Sequence, residues 1–241
     1  MSHLWCMTFC LLLTQMRAIP TGFQQVQFKK PTANASETAG PPSKGLRNLQ
    51  KWSFDNHPIG GLPPDASVLT GKWEIRAEPD APSPRRTLCQ VGDAESPFMT
   101  LSPTVYSDVV MTARFKIKSA DPLGNPTAGL IFRLRDKNHY YLVRVNSGEM
   151  QGNLNIYRYW LGQRDLIKHT NWPVTKGRWY SLKVEARGDH ILGYLDGTLV
   201  AEAYDKTYSA GKVGLWVKYD SFTCFDDVTV HEAGPFTYPQ E

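Results

Sequence analysis

Several things are missing from this sequence, and each absence closes off a class of protein. No run of five or six lysines or arginines occurs, and the formal charge of +4 is dispersed along the chain. That excludes the concentrated basic footprint of a nucleic-acid platform. No apolar stretch approaches the ~18 residues that a membrane-spanning helix needs, and no sustained 3.6-residue period announces amphipathic helices. With four cysteines and no C-x-x-C, zinc-ribbon and thioredoxin-type motifs are excluded on spacing. The six histidines (His3, His57, His139, His169, His190, His231) stand at no ligand spacing. No nucleophile elbow, phosphate-binding loop or His-Glu-x-x-His motif is present.

What the sequence has is aromatic residues, 12% of the total, and many short alternating runs. The N-terminus comes first. "LWCMTFCLLL", Leu4 to Leu13, has the length of a signal-peptide apolar segment, although "MSH" before it lacks a positive charge. Residues 1–18 are therefore expected to be a signal peptide, which implies an exported protein, periplasmic or extracellular. Residues 19–45 are rich in Pro, Ser, Thr, Ala and Gly without hydrophobic period, as in a disordered linker. Cys89 and Cys224 lie far apart, in "RTLCQ" and "FTCFDD". They can form one disulfide in an oxidising compartment. Their strand-like context favours two separate buried thiols packed as small hydrophobes.

From residue 46 to 234 short alternating runs follow one another, separated by Gly, Pro, Asn and Asp, with a C-terminal tail at 235–241. Asp196-Gly197, between "HILGYL" and "TLVAEAY", is a two-residue hairpin signal. About a dozen such runs without helical period predict an all-β fold, a two-sheet antiparallel jelly-roll sandwich.

One hairpin stands out. "AGLIFRLRDKNHYYLVRVN", Ala128 to Asn146, reads as two strands around Lys137-Asn138. A symmetric hairpin sets Arg135 opposite Tyr140, Arg133 opposite Leu142, Ile131 opposite Arg144 and Gly129 opposite Asn146. Period-2 alternation then sends the remaining apolar residues to the core. Arg133, Arg135, Tyr140, Arg144 and Asn146 collect on the other face. Arg133 and Arg144 become diagonal neighbours about 7–8 Å apart. In "KVGLWVKYDS" the same alternation buries Val213, Leu215 and Val217 and turns Trp216, Lys218 and Asp220 outward. "NLNIYRYW" adds Asn153, Asn155 and Tyr157. An exposed Trp beside Arg, Lys, Tyr and Asn suits sugar: the ring covers C–H groups while forked and charged donors take hydroxyls.

The hairpin, together with "GRWYSLKVEARGDHI", "YLDG" and "GKVGLWVKYDSFTCFDDVTV", resembles the concanavalin A-like jelly-roll modules of bacterial exported proteins. More narrowly it is similar to the 3-keto-disaccharide hydrolase, or family-16-glycoside-hydrolase-like, domain. The resemblance runs from about Trp52 to His231. It implies a carbohydrate ligand on the concave sheet, with Arg133, Arg135, Tyr140, Arg144, Asn146, Asn155, Tyr157, Trp216 and Lys218 as binding residues. It also implies a glycosidase-type activity. A glycosidase needs two carboxylates about 5–5.5 or 6.5–9.5 Å apart. The Glu-x-Asp-x-Glu strand of related glucanases is missing, and the central strand "YYLVRVN" carries no acid. Asp220 is the best single catalytic candidate. Asp136 sits at a turn and Glu149 in a Gly-rich loop. Hydrolysis and non-catalytic sugar binding thus stand side by side, with a protein-interaction groove as a third reading. No cofactor is required; Asp55, Asp226 and Asp227 are candidate oxygen ligands for a structural calcium.

Overall fold

The computed structural model describes residues 46–120, 126–148, 152–218 and 221–234. The segments expected to be signal peptide and linker lie outside the described residues, as do Glu149 and Asp220.

Fifteen strands make up the described part. They are β1 (Gln50–Trp52), β2 (Ser67–Thr70), β3 (Trp73–Ala77), β4 (Arg86–Gln90), β5 (Phe98–Thr100), β6 (Val109–Ala120), β7 (Thr127–Asp136) and β8 (His139–Asn146). After these come β9 (Asn153–Trp160), β10 (Gln163–Asn171), β11 (Trp179–Arg187), β12 (His190–Leu195), β13 (Thr198–Tyr204), β14 (Lys212–Trp216) and β15 (Ser221–Glu232). They form two antiparallel sheets, as the jelly-roll reading requires. One has the order β13-β12-β11-β6-β15-β4-β3, with β1 also on β15; the other is β10-β9-β8-β7-β14-β5-β2.

The inner faces meet in one core. Leu130, Phe132, Tyr141, Val143, Leu154 and Ile156 of the seven-stranded sheet share it with Met111, Ala113, Phe115, Leu182, Val184 and Phe225 of the other. Alternation is the cause. In "WYSLKVEAR" of β11 every second residue is buried and the rest are partly exposed. The centre of the seven-stranded sheet departs from this. Nearly every residue of β7 and β8 is buried, on both faces. A second apolar cluster explains it: Phe98, Ile131, Leu134, Tyr140, Leu142, Tyr157, Tyr159 and Trp216 pack on the outer side.

Three strands without an alternating signature, β2, β5 and β10, belong to this sheet. In "QRDLIKHTN" of β10 almost every residue is exposed, and a bulge falls between Leu166 and Lys168. Charges and a bulge are the usual protection of an edge strand against pairing with another chain.

The cysteines take the other of their two alternatives. Cys89 and Cys224 are directly opposed in the β4–β15 register and form a disulfide spanning 135 residues of sequence. Two cysteines on facing strand positions can bridge, whereas sequence distance alone shows nothing of that adjacency.

The hairpin register also differs from the symmetric expectation. Asp136 pairs with His139 at the turn, but further along Ile131 pairs with Leu142, Gly129 with Arg144 and Thr127 with Asn146. A bulge between Phe132 and Asp136 absorbs the difference, with Arg133 in the left-handed region at φ 50°. The slip is two residues. Parity survives, and Tyr140, Arg144 and Asn146 keep the outer face, while the arginines inside the bulge do not.

Candidate functional site

The outer face of the seven-stranded sheet is built in rows that run across the strands. One row passes from Trp216 on β14 to Gly129, Arg144, Asn155 and His169. The next holds Ile131, Leu142, Tyr157 and Leu166, and a third Tyr140, Tyr159 and Arg164. Gly129 is what lets the first row close. A Cβ there would stand 2.7 Å from Leu142 Cδ1 and 3.4 Å from the Trp216 indole.

A cavity of about 560 Å³ opens on this face. Phe98, Tyr140, Tyr159 and Trp216 form its apolar surface. Tyr140 and Tyr159 stack with ring centroids 4.3 Å apart and planes 14° from parallel, and Phe98 leans on Tyr140 at 5.5 Å. Burial pushes both tyrosine hydroxyls above their ordinary range, leaving them neutral donors and acceptors at physiological pH. The walls are polar. Lys137, Asn138, Gly162 and Arg164 stand on one side, Thr70, Glu95, Ser96 and Lys218 on the other. Gly162 N donates to Asn138 O at 3.2 Å, joining the β7–β8 and β9–β10 turns. Phe98 N donates to Thr70 Oγ1 at 3.2 Å, holding the opposite wall.

Beside the cavity the face is rich in polar groups. The Arg144 guanidinium lies 4.9 Å from the centre of the Tyr157 ring, and that of Arg164 lies 5.1 Å from the same ring. Asn155 Nδ2 donates to Tyr157 Oη at 2.7 Å, and its Oδ1 is 2.9 Å from His169 Nδ1. Several buried polar atoms have no partner among the described residues: Arg144 Nε, Asn146 Oδ1 and Asn153 Oδ1.

Of the residues expected at the site, Tyr140, Arg144, Asn146, Asn155, Tyr157 and Trp216 come together on this face. Lys218 reaches the rim, its backbone N donating to Thr127 Oγ1 at 2.8 Å. Trp216 differs in one respect. It is 0% exposed, packed flat into the sheet as flooring and not raised as a platform. Arg133 and Arg135 are elsewhere. Arg133 is buried and donates to Ser107 O (2.9 Å), Tyr208 O (3.0 Å) and Asp108 Oδ1 (3.4 Å), tying down neighbouring loops. Arg135 lies over the Tyr208 ring at 5.1 Å. The bulge is the reason: against β14 it inserts one residue between Ile131 and Leu134, so Leu134 takes the outer face and the alternation that would carry Arg133 and Arg135 there is broken. Tyr159, Arg164, Phe98 and Glu95 join the site without having been expected there. Tyr159 had a signal, two residues from Tyr157 in the same alternation. Arg164 had none, because its strand shows no period.

The acids fall apart as a group. Asp136 accepts from Asn138 N (2.8 Å) and sits 2.8 Å from His139 Nδ1; the Asn138 bond, ahead of the imidazole, holds its carboxyl below the usual range. It caps the turn. Among the described residues lining the cavity, Glu95 is the one carboxylate. Among the described residues no group of three His, Cys, Asp or Glu gathers, at Asp55, Asp226 and Asp227 or elsewhere. Asp226 is instead buried, taking Ser83 N and Oγ and the backbone N of Asp227. Asp227 is exposed at a bulge with φ 45°.

Comparison with known proteins places the fold. No protein-family model matches the chain. A levanase of Bacillus subtilis is 30% identical over 139 residues, 57% of this chain and 20% of the levanase, so the chain spans about a fifth of that relative's length. The carbohydrate-binding module CBM66 of Bacillus subtilis superposes with a TM-score of 0.58 at 26% identity, covering 69% of this chain and 95% of the module. The Bacteroides ovatus xyloglucan-locus protein GH43B gives 0.56 at 13% identity, covering 76% of this chain and 39% of its own, a likeness of fold alone. The chain is thus a concanavalin A-like jelly roll, similar in fold to a carbohydrate-binding module.

Proposed function

We propose that this domain binds carbohydrate on the outer face of its seven-stranded sheet, as a recognition module that does not itself cleave the sugar. One observation carries the reading: a cavity floored by stacked aromatics and walled by hydrogen-bonding groups, with a single carboxylate among its described lining residues. The buried tyrosine stack gives the cavity an apolar floor for the C–H groups of a pyranose or furanose ring, and the wall donors suit its hydroxyls. Hydrolysis by the usual mechanisms requires a second carboxylate across the scissile bond. The likeness to a carbohydrate-binding module supports the same reading, and that to part of a levanase supports a carbohydrate ligand. The disulfide suits a protein exported to an oxidising compartment.

The magnitudes are sufficient. The floor rings are already nearly covered by the sheet, Tyr140 at 1% and Tyr159 at 9% exposed, so hydrogen bonds to the wall groups, about 0.5–1.5 kcal/mol each, carry most of the binding. Millimolar binding needs only ~4 kcal/mol. Roughly four wall hydrogen bonds at about 1 kcal/mol each reach it.

The test is a glycan array that includes levan, followed by a hydrolysis assay on every glycan bound and on 3-keto-glucosides. Binding without product formation is expected. Release of reducing sugar would return the domain to the hydrolases. No binding to any glycan would remove the carbohydrate reading and leave the groove to a protein partner.

A further inference from the structure

We propose that the saccharide recognised here is acidic, carrying a carboxylate or a sulfate ester that seats against Arg144 and Arg164; this rests on the carbohydrate-binding reading above. The observation is a pair of guanidiniums, one on an inner strand and one on the edge strand beside the same tyrosine, with no carboxylate partner among the described residues. Arg144 is 7% exposed, on a central strand, and its neighbours in register are Gly129 and Asn155, both uncharged. Its Nε is buried without an acceptor. Arg164, on the edge strand, approaches the same Tyr157 ring and also lines the cavity.

The one other arginine as buried as Arg144 among the described residues, Arg133, is paired with Asp108, whereas the more exposed Arg85, Arg86, Arg114 and Arg135 reach no Asp or Glu. Arg47, Arg76, Arg133, Arg158, Arg178 and Arg187 each reach an Asp or Glu. Among the described residues no carboxylate lies within ion-pair distance of Arg144 or Arg164. The cavity rim repeats the imbalance, with Lys137, Arg164 and Lys218 against Glu95 alone.

A buried cation without a partner is costly, and Tyr157 offsets only part of that cost through its ring face. Sugar hydroxyls would satisfy the guanidinium donors but leave the charge uncompensated. A carboxylate or sulfate does both, accepting two parallel N–H bonds from one planar fork. The two guanidiniums stand beside the same ring, so an anion that reaches both gains from both charges. Burial, and less strongly the nearby Arg164 charge, depress the Arg144 guanidinium against the opposing pull of Tyr157 and Tyr159, and a bound anion would relieve that cost.

The experiment uses isothermal titration with a short acidic saccharide, trigalacturonate, against its methyl ester, and with a sulfated trisaccharide against its desulfated form. Levan oligosaccharide is the neutral reference. At low salt the acidic member of at least one pair should bind tenfold or more tighter than its neutral counterpart. Which pair responds distinguishes carboxylate from sulfate. Arg144→Gln and Arg164→Gln should each remove that preference, while Lys51→Gln, an exposed cation on β1 of the other sheet, should not. If Arg144→Gln does not fold, Arg164→Gln on the exposed edge strand carries the comparison. Equal affinity for acidic and neutral partners, or equal loss in Lys51→Gln, overturns the acidic assignment and leaves sugar binding intact. Absence of binding to every glycan, neutral and acidic, removes both.

Discussion

Tyr140 and Tyr159 lie directly opposite one another on β8 and β9, their rings stacked at 4.3 Å and 14°. Both line the cavity, so this one cross-strand pair is a packing contact of the sheet and the floor of the site. Tyr159→Ala should raise the glycan Kd at least tenfold, about 1.4 kcal/mol. Tyr159→Phe keeps the stack and should stay within about threefold of wild type. Titration with the best glycan from the array checks both. Wild-type affinity in the alanine variant would take the ligand off this floor.

Arg133 should behave as a structural residue. Its donors satisfy the carbonyls of Ser107 and Tyr208 in a buried setting. Arg133→Met leaves them without partners, at a cost of roughly 2–4 kcal/mol. At about 2–4 °C per kcal/mol for a chain of this size, thermal melts should shift down by roughly 4–16 °C. Glycan affinity, measured well below the new midpoint, should be unchanged. A loss of affinity without a loss of stability would return Arg133 to the ligand.

The Cys89–Cys224 bridge closes a long loop of chain. Removing a native disulfide from a small exported domain typically costs about 2–5 kcal/mol. Cys89→Ala/Cys224→Ala, and the wild type in reductant, should therefore melt earlier by comparable amounts. Identical melts in oxidising and reducing buffer would mean that the bridge contributes nothing.

Asp226 sets a pH dependence. Burial raises its carboxyl to about 6 from 3.8, against the pull of the hydrogen bonds from Ser83 and Asp227. An acid raised in the folded state binds its proton more tightly folded than unfolded. Stability from this group is therefore full below about pH 4, falls as pH rises from about 4 to about 6, and is gone above that. The shift of about two pH units is worth about 3 kcal/mol. On acidification from pH 7 to 5 the wild type should gain stability relative to Asp226→Asn, which lacks this titration. Parallel curves for the two proteins across that window would rule the assignment out.

Much of the architecture is legible in the residue pattern. Alternation in "WYSLKVEAR" or "YYLVRVN" specifies a strand and its buried face, because side chains on a strand take opposite sides in turn. The same rule correctly turned Tyr140, Arg144, Asn146, Asn155 and Tyr157 to one face, even with the hairpin register two residues out. An even slip does not change parity. The outlines of a sandwich and of its polar-aromatic sheet are properties that neighbouring residues encode.

Tertiary structure decided what depends on residues distant in sequence. The bulge at Arg133 forms where Ser107, Asp108 and Tyr208 supply its acceptors, and it withdraws Arg133 and Arg135 from the site. Trp216 became flooring because Gly129 leaves space for the indole beside it. Arg164 reached Tyr157 from an edge strand with no period of its own, held there by its ladder to β9. The disulfide followed from a register between strands 135 residues apart. In each case the local pattern allowed several outcomes, and the free energy of packing between remote segments selected one.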